Sequence, residues 1–284
     1  FVSHYTGTDR IVEHIEKFVC PTITSDQLIG GDPFRFRDDH RPLVVFLVAE
    51  DEYETEATLP PFAEAYLGRD YRVHFVFGAD DDFHALEGLS PLEQADLVFV
   101  SMRRRPLRSD QLAMIREHVA RGKPLVGIRT ASHAFSLRGN PTLPEGISAW
   151  PEFDSQVLGG SYTNHHPNGI ESDISVADSG LGHPILEGVD AASLIGKGSL
   201  YKVRPLAPAT TPLLIGSIPG HESEPVAWTH IGPSGSRVFY TSLGHRGDFE
   251  QPAFRLMLRN AIDWALGPLS YPSTSKLQDA VEGP

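Results

Sequence analysis

A short turn, Arg129–His133, follows a predicted buried strand and carries several side chains that could do chemistry. In α/β enzymes a tight strand-to-helix turn at this position exposes one nucleophile near backbone N–H groups. The turn has no cysteine and no G-x-S-x-G pattern, so attack by the hydroxyl of Thr130 or Ser132 would need a base and an orienting group from elsewhere. His133 is the stronger candidate, because an imidazole serves as acid, base or metal ligand near neutral pH. A lone histidine at the start of a helix is also commonly a packing or capping residue.

Charged side chains follow two other predicted strands. An acidic segment containing Glu52 and Tyr53 follows the first strand, and three consecutive arginines starting at Arg103 follow the third. Because the planar fork of arginine suits a carboxylate or a sugar diol, we expect Arg129 and either Arg103 or Arg104 to orient a ligand. Glu52 is the expected second titrating group. The alternative is that these loops pair with each other in surface ion pairs worth ~0–1 kcal/mol each.

A second polar loop starts at Gly159-Gly160 and contains Asn164, His165 and His166. A Gly-Gly pair favours a tight turn, and the polar groups after it are expected to face a ligand. We expect His133 or His165 to move a proton. The other predicted ligand contacts are Tyr53, Ser132, Asn164, His166 and His245.

Histidines in these loops could also hold a divalent metal ion. The four candidate ligands are His133, His165, His166 and His245. No H-E-x-x-H or equivalent spacing fixes their geometry, so metal binding by some subset of them is left open.

The elements that must position these side chains begin at Pro42, where short β-rich runs alternate with helical stretches. This alternation predicts an α/β fold with a flavodoxin-like, open and mostly parallel sheet, helices on both faces and additional C-terminal β-strands. In such a sheet ligands bind outside the carboxyl ends of the strands, so the loops after the first, third and fourth strands should be neighbours. The predicted strands are 43–49, 71–77, 97–102, 124–128, 170–176, 199–203, 212–218, 225–229 and 237–243.

Two helices are well marked by the sequence. The first has Ser109 as its expected N-cap, Leu112, Ile115 and Val119 on one apolar face, and Gly122 at its end. The second is expected over residues 252–266. Its predicted core-facing stripe is Phe254, Leu258, Ala261, Ile262 and Ala265.

The 284 residues are expected to form an N-terminal arm (1–40, with a short helix at 10–18), an α/β domain (41–268) and a tail (269–284). A net charge of −13 disfavours nucleic-acid binding, and no apolar run approaches the ~20 residues of a membrane helix. The single cysteine, Cys20, cannot form an internal disulfide. Because the chain opens with Phe1, export after cleavage of an upstream segment is left open, as is homo-oligomerisation.

Several stretches resemble the trehalose utilisation, or ThuA-like, family, and together they cover about residues 42–267. They are 111–128, 157–165, 183–188, 225–228, 237–245 and 260–265. The resemblance implies a class I glutamine amidotransferase-like fold that lacks the usual cysteine nucleophile. It also implies a role in sugar metabolism, including disaccharides and 3-keto-sugar intermediates. Many relatives carry a histidine where Arg129 stands, so no catalytic or metal role is carried over to that position.

The leading functional hypothesis is an isomerase, lyase or hydrolase that acts on a small carbohydrate or keto-sugar by general acid–base chemistry. The alternative is a non-catalytic carbohydrate-binding or assembly protein on the same fold. Trp150, Trp228 and Tyr240 could then stack on sugar rings, although core positions are expected for Trp228, Tyr240 and Trp264. A glutaminase or peptidase is set aside, because it requires the missing cysteine and Cys20 precedes the first strand of the domain.

Overall fold

A computed structural model describes residues 28–29, 40–232 and 234–267 of the chain. These residues build one ten-stranded sheet with helices on both of its faces, and two small two-stranded ribbons beside it. The predicted helix at 10–18 and Cys20 lie outside the described residues. The predicted boundaries of the arm, domain and tail stay predictions.

The parallel half of the sheet has the flavodoxin order β3-β2-β4-β6-β14. This arrangement confirms the predicted α/β class and places the switch point of the topology between β2 and β4. The loops after β2, β4 and β6 are therefore neighbours, as expected. The five parallel strands are β2 (Leu43–Ala49), β3 (Arg72–Phe77), β4 (Leu97–Met102), β6 (Leu125–Ile128) and β14 (Arg237–Thr241).

The other half of the sheet is antiparallel and extends it from β14 in the order β13-β12-β9-β10. These strands are β9 (Ser172–Val176), β10 (Ile195–Gly196), β12 (Thr210–Ser217) and β13 (Glu224–Ile231). A two-residue strand, β1 (Leu28–Ile29), pairs antiparallel with β3 at the opposite edge. Part of the predicted N-terminal arm therefore joins the sheet.

The central strands are buried on both faces, which explains why their sequences are continuous apolar runs. Every residue of β2 is buried. Val44 and Phe46 face a core shared with the first and last helices, whereas Val45 and Leu47 face a second core shared with the middle helix. Because successive side chains of a strand point to opposite faces of the sheet, β2 contributes residues to both cores.

The three α-helices are α1 (Thr55–Tyr66), α2 (Ser109–Ala120) and α3 (Pro252–Leu266). The whole predicted stripe of α3 is buried, as expected. The prediction for Ser109 is wrong: it is the first helical residue, and its hydroxyl donates to the carbonyl of Gly146 at 2.9 Å instead of capping the helix. Gly122 follows α2 with a φ of +70°, a conformation that ends a helix at little cost in glycine. Within the described ranges, no helix is long and apolar enough to cross a membrane.

The predicted strand at 199–203 forms only β11 (Tyr201–Lys202), and this strand lies outside the main sheet. It pairs antiparallel with β8 (Asn164–His165), and the two strands form a ribbon at the carboxyl edge of the parallel strands. A second ribbon pairs β5 (Leu107–Arg108) with β7 (Ile147–Ser148). Short 3₁₀ turns cover 90–94, 129–133, 178–180, 184–186, 191–193 and 246–248, and a π-helical turn covers Asp154–Leu158.

Candidate functional site

The turn after β6 is a short 3₁₀ helix that begins in a strained conformation. Arg129 has a φ of +42°, in the left-handed region that costs a non-glycine residue roughly 1–3 kcal/mol. Its carbonyl accepts hydrogen bonds from the Tyr240 hydroxyl at 2.6 Å and from the Ser132 hydroxyl at 3.3 Å. Because Tyr240 lies on the neighbouring strand β14, the sheet itself holds the turn in place.

The Arg129 side chain is buried beneath the site, with only 2% of the residue exposed. Its guanidinium carbon lies 4.4 Å from the ring centre of Tyr53 and 4.5 Å from that of Tyr201. The terminal nitrogens donate to the carbonyls of Ser242 (2.6 Å) and Ser199 (3.2 Å) and to the Tyr53 hydroxyl (3.1 Å). These contacts favour a positioning role for Arg129, which was predicted to contact the ligand directly.

A continuous stack of side chains leads from Arg129 to the predicted proton-transfer residue. The Tyr201 and Tyr162 ring centres lie 4.6 Å apart, and Tyr162 stacks on the His133 imidazole at 4.6 Å. Arginine stacks favourably on aromatic faces, and offset aromatic pairs add stability beyond the area they bury. We call Tyr53, Arg129, Tyr201, Tyr162 and His133 the Tyr–Arg stack; it joins the loops after β2 and β6 to the β8–β11 ribbon.

A cavity of about 590 Å³ lies beside the His133 end of the stack, between the elbow turn and the segment before β8. Of the residues predicted to act or to bind, it contains Arg104, Ser132, His133 and Asn164. Its remaining lining is Ser136, Leu137, Arg138, Gly139, Pro151, Asp154, Ser155, Ser161, Tyr162 and Thr163. The lining is largely polar and hydroxyl-rich, as expected for a site that binds a hydrophilic molecule.

His133 is neutral over the whole physiological pH range. Burial, together with nearby guanidinium groups of which Arg104 contributes most, lowers its pKa from 6.5 to about 3. Its Nδ1 lies 3.1 Å from the Ser132 hydroxyl. A neutral imidazole donates one hydrogen bond from its N–H and accepts another at its second nitrogen, but it does not release its proton near pH 7.

Asp154 is a candidate that sequence reasoning missed. It lies in the cavity wall, is 7% exposed, and accepts a 2.6 Å hydrogen bond at Oδ2 from the backbone N–H of Tyr162. Its Oδ1 atom is buried without a hydrogen-bond partner among the described residues. Burial raises its pKa from 3.8 to about 7, against the opposing effect of the Tyr162 N–H. Tyr162 therefore contacts both titrating groups, through its backbone at Asp154 and its ring at His133.

Two local signals could have drawn attention to Asp154. It begins a π-helical turn, a rare element that is frequent at functional sites. The Gly159-Gly160 pair was interpreted only as a turn, but a Cβ added to Gly160 would lie 2.9 Å from Asp154 Oδ1 and 2.8 Å from the Trp228 ring. The glycine pair therefore also lets the backbone approach the carboxyl group closely.

Glu52 is engaged with its neighbours rather than with the cavity. Its carboxylate lies 2.5 Å from Arg103 Nε and accepts a 3.0 Å hydrogen bond from the Tyr53 hydroxyl. The pairing of adjacent acidic and basic loops, weighed above as the alternative, is therefore present between the loops after β2 and β4. The buried Glu50 shapes the same loop, because it accepts hydrogen bonds from the backbone N–H groups of Glu52, Tyr53 and Thr55.

We expect Glu52→Gln to change the free energy of unfolding by only about 0–1 kcal/mol, because the ion pair with Arg103 is partly exposed and screened by solvent. Urea unfolding of the variant and the parent protein measures this difference. A loss above about 2 kcal/mol would contradict the description of this contact as a surface ion pair.

The remaining predicted histidines lie apart from the cavity. His165 Nδ1 lies 2.7 Å from the His166 carbonyl oxygen, and His166 Nε2 lies 3.9 Å from Glu224 Oε1. His245 caps the turn at 246–248 and accepts the Gly247 N–H at 3.1 Å. In the part of the chain that the structure describes, no three His, Cys, Asp or Glu side chains are grouped so that they could hold a metal ion. The four histidines therefore do not form a common ligand set.

The aromatic residues considered for sugar stacking belong to the core. Trp228 and Tyr240 are fully buried, and the indole N–H of Trp228 donates to the Leu158 carbonyl at 2.7 Å. Trp150 is 6% exposed and is covered by the Arg116 guanidinium at 4.2 Å. Trp264 is half-buried and packs against the core on the α3 side. The aromatic face that the cavity does contain is that of Tyr162.

Comparison with known proteins agrees with this architecture. A ThuA-like protein from Bacteroides uniformis ATCC 8492 superposes with a TM-score of 0.57 at 16% identity, covering 83% of this chain and 95% of its own. A ThuA-like protein from Parabacteroides merdae ATCC 43184 gives a TM-score of 0.55 at 19% identity, covering 79% and 90%. No curated protein matches the sequence.

The family assignment rests on the sequence itself. The sequence model of the family described as trehalose utilisation matches residues 44–265, a span that includes the parallel half of the sheet except for the first residue of β2, together with the elbow turn and the cavity. The chain therefore belongs to the trehalose utilisation (ThuA) family, whose role lies in carbohydrate metabolism.

Proposed function

We propose that this protein moves a proton on a keto-sugar bound in the cavity, and that Asp154 is the group that carries the proton. The observation that supports this most strongly is a carboxyl group with a pKa of about 7 in the wall of a polar cavity. A proton-transfer group works best when its pKa lies near the operating pH. Glu52, the acid expected from the sequence, is instead paired with Arg103.

In this proposal the ionised Asp154 removes the proton from the hydroxyl-bearing carbon next to the sugar carbonyl and returns it to the former carbonyl carbon. The hydroxyl proton of the enediolate moves to the former carbonyl oxygen, so that the carbonyl group shifts by one carbon and no proton is gained or lost. The neutral imidazole of His133 donates a hydrogen bond to the carbonyl oxygen on which negative charge develops. A neutral imidazole suits this role, because it polarises the carbonyl without giving up its proton. Arg104 and Arg138, in the same lining, add positive potential for the enediolate.

The reaction is tested by following exchange of the sugar proton for deuterium in D₂O by NMR, across a panel of ketoses and oxidised disaccharides. Exchange reports proton abstraction even when no net product accumulates. Catalysed exchange on one class of keto-sugar supports the proposal, and absence of exchange on every sugar that binds contradicts it.

We expect His133→Phe to lower the exchange rate by about 10²–10³-fold, because phenylalanine keeps a planar ring but has no hydrogen-bond donor for the developing oxyanion. His165→Phe is the matched control, because His165 lies on the neighbouring ribbon and outside the cavity lining. Equal losses in both variants would contradict the assignment to His133.

A carbohydrate-binding protein without catalysis is the second candidate, and the polar, hydroxyl-rich lining of the cavity favours it, because hydroxyl groups can donate hydrogen bonds to a sugar and accept them from it. The same experiment separates the two functions. Binding by calorimetry without deuterium exchange identifies the binding protein, and binding with exchange identifies the enzyme.

A further inference from the structure

The three consecutive arginines after β4 have different surroundings. Arg103 lies 2.5 Å from Glu52, and the Arg105 guanidinium donates to the Ala85 carbonyl and lies over the Phe83 ring at 4.8 Å. Arg104 alone of the three lines the cavity, and it forms no ion pair with any carboxylate in the described ranges. Two of the three arginines are therefore accounted for by protein contacts, and the third is available to a ligand.

Arg138 brings a second unpaired positive charge to the same cavity. It lines the cavity with Arg104 and likewise forms no ion pair with a described carboxylate. Burial and then repulsion from Arg138 lower the pKa of Arg104, so the two guanidinium groups lie close enough to disfavour each other. Among the described residues, Asp154 is the only carboxyl group in the lining, and it is half-protonated near pH 7. The lining is thus net positive in a chain whose net charge is −13.

The backbone at Arg104 shows that its placement is maintained at a cost. Arg104 has a φ of +46°, a conformation that disfavours a non-glycine residue by roughly 1–3 kcal/mol. Its N–H donates to the His133 carbonyl at 2.9 Å, and the Arg105 N–H donates to the Ala134 carbonyl at 2.7 Å. These two bonds fasten the loop to the elbow turn and fix Arg104 beside His133.

We propose that the ligand of this cavity is an anionic sugar whose carboxylate or phosphate group lies between Arg104 and Arg138. The inference rests on the proposed function in placing a sugar in the cavity, and it adds the charge of that sugar. An anion removes the repulsion between the two guanidinium groups and gives each of them charge-assisted hydrogen bonds. A neutral sugar would leave both positive charges uncompensated.

The test is calorimetry at pH 7.5 and low ionic strength with three probes that share one pyranose ring and differ at C6: glucose, glucuronate and glucose 6-phosphate. We expect at least one anionic probe to bind ten times or more tightly than glucose, because a hydrogen bond to a charged group contributes about 1.5–3 kcal/mol. Its affinity should fall as salt is added. Preference between the two anionic probes identifies the charged group.

Substitutions test whether Arg104 and Arg138 bind the charged group of the anionic probe. Arg104→Gln and Arg138→Gln should each weaken binding of the anionic probe about tenfold and so reduce its advantage over glucose. Arg104→Gly provides a second variant at that position, because glycine adopts a positive φ without strain. Arg108→Gln is the matched control: it removes an exposed arginine of the next segment that pairs with Asp82 and does not line the cavity.

Each outcome has a distinct meaning. Equal affinity for glucose and both anions overturns the anionic ligand and leaves the cavity as a sugar site. Anion binding that is unchanged in Arg104→Gln, Arg104→Gly and Arg138→Gln also overturns it. Failure of all three probes to bind also overturns this inference, whereas the proposed function is tested separately by deuterium exchange on the keto-sugar panel.

Discussion

Replacing Asp154 with asparagine is expected to slow proton exchange on a bound keto-sugar by about 10²–10⁴-fold. The amide has nearly the same shape and can still accept the Tyr162 N–H through its oxygen, but it cannot take up a proton. Exchange rates in D₂O with saturating sugar measure the effect. Glu152→Gln is the control, since this exposed carboxylate lies two residues away and outside the cavity lining. Exchange by Asp154→Asn within tenfold of the parent rate would contradict the assignment.

The pH dependence of the exchange rate of the parent protein gives a second test of Asp154. Because Asp154 must be ionised to remove a proton, the parent rate should fall as the pH falls through about 7. The free energy of unfolding, in contrast, should rise as the pH falls through about 7. The pKa of Asp154 is raised on folding, so the folded protein binds the proton more tightly than the unfolded chain and is destabilised once the group ionises.

The size of this stability effect follows from the shift from 3.8 to about 7. Between pH 5 and pH 8 Asp154 alone should lower the free energy of unfolding by about 2–3 kcal/mol, and Asp154→Asn should abolish this part of the pH dependence. Urea unfolding of both proteins at several pH values measures the difference. Parallel stability curves for the two proteins would show that the carboxyl group is not held neutral by burial.

Replacing Arg129 with methionine is expected to lower the free energy of unfolding by about 3–5 kcal/mol. The change leaves the carbonyls of Ser199 and Ser242 without their donor, and an unsatisfied buried polar group costs about 1–3 kcal/mol. It also removes the cation between the rings of Tyr53 and Tyr201. Urea unfolding with a check that the m-value is unchanged gives the measurement.

The matched control for this variant is Arg116→Met, which removes an arginine that also lies on an aromatic ring but is exposed. That variant should lose about 1 kcal/mol or less. Similar losses for the two substitutions would show that the Tyr–Arg stack adds nothing beyond an ordinary surface contact. Arg129→His should be destabilised as well, because the shorter imidazole cannot span from the Tyr53 hydroxyl to the Ser242 carbonyl.

Much of the fold could be predicted from the sequence because its signals are local. Continuous apolar runs mark β2 and β4, whose observed bounds match the predicted ones, and the bounds of α3 match as well. Ser109 shows the limit of such signals: a serine before an apolar helix is a common N-cap, yet here a distant carbonyl, that of Gly146, takes its hydroxyl. A tertiary contact, and not the helix that Ser109 begins, therefore determines the partner of its hydroxyl.

The candidate site could be predicted only in part, because tertiary contacts determine which of its side chains are buried, paired or free to meet a ligand. His133 was found from its place after a strand, which is a local signal. Asp154 was missed because its raised pKa comes from burial by residues brought together only in the folded chain. The sequence also does not show what an arginine contacts, so the same ligand-binding role was predicted for three arginines with different surroundings. Arg103 forms an ion pair with Glu52, Arg104 lines the cavity and Arg129 is buried in the core.

The ribbon of β8 and β11 bears on how the family could change its ligands. The segment before and within β8 is fastened to its partner by backbone bonds, from the N–H groups of Ser161, Thr163 and His166 to the carbonyls of Val203, Lys202 and Leu200. Main-chain bonds do not depend on which side chains are present. Thr163 and Asn164, which line the cavity, can therefore be exchanged while the sheet, the elbow and the stack stay intact, so new ligand preferences can evolve in this wall of the cavity without a loss of folding stability.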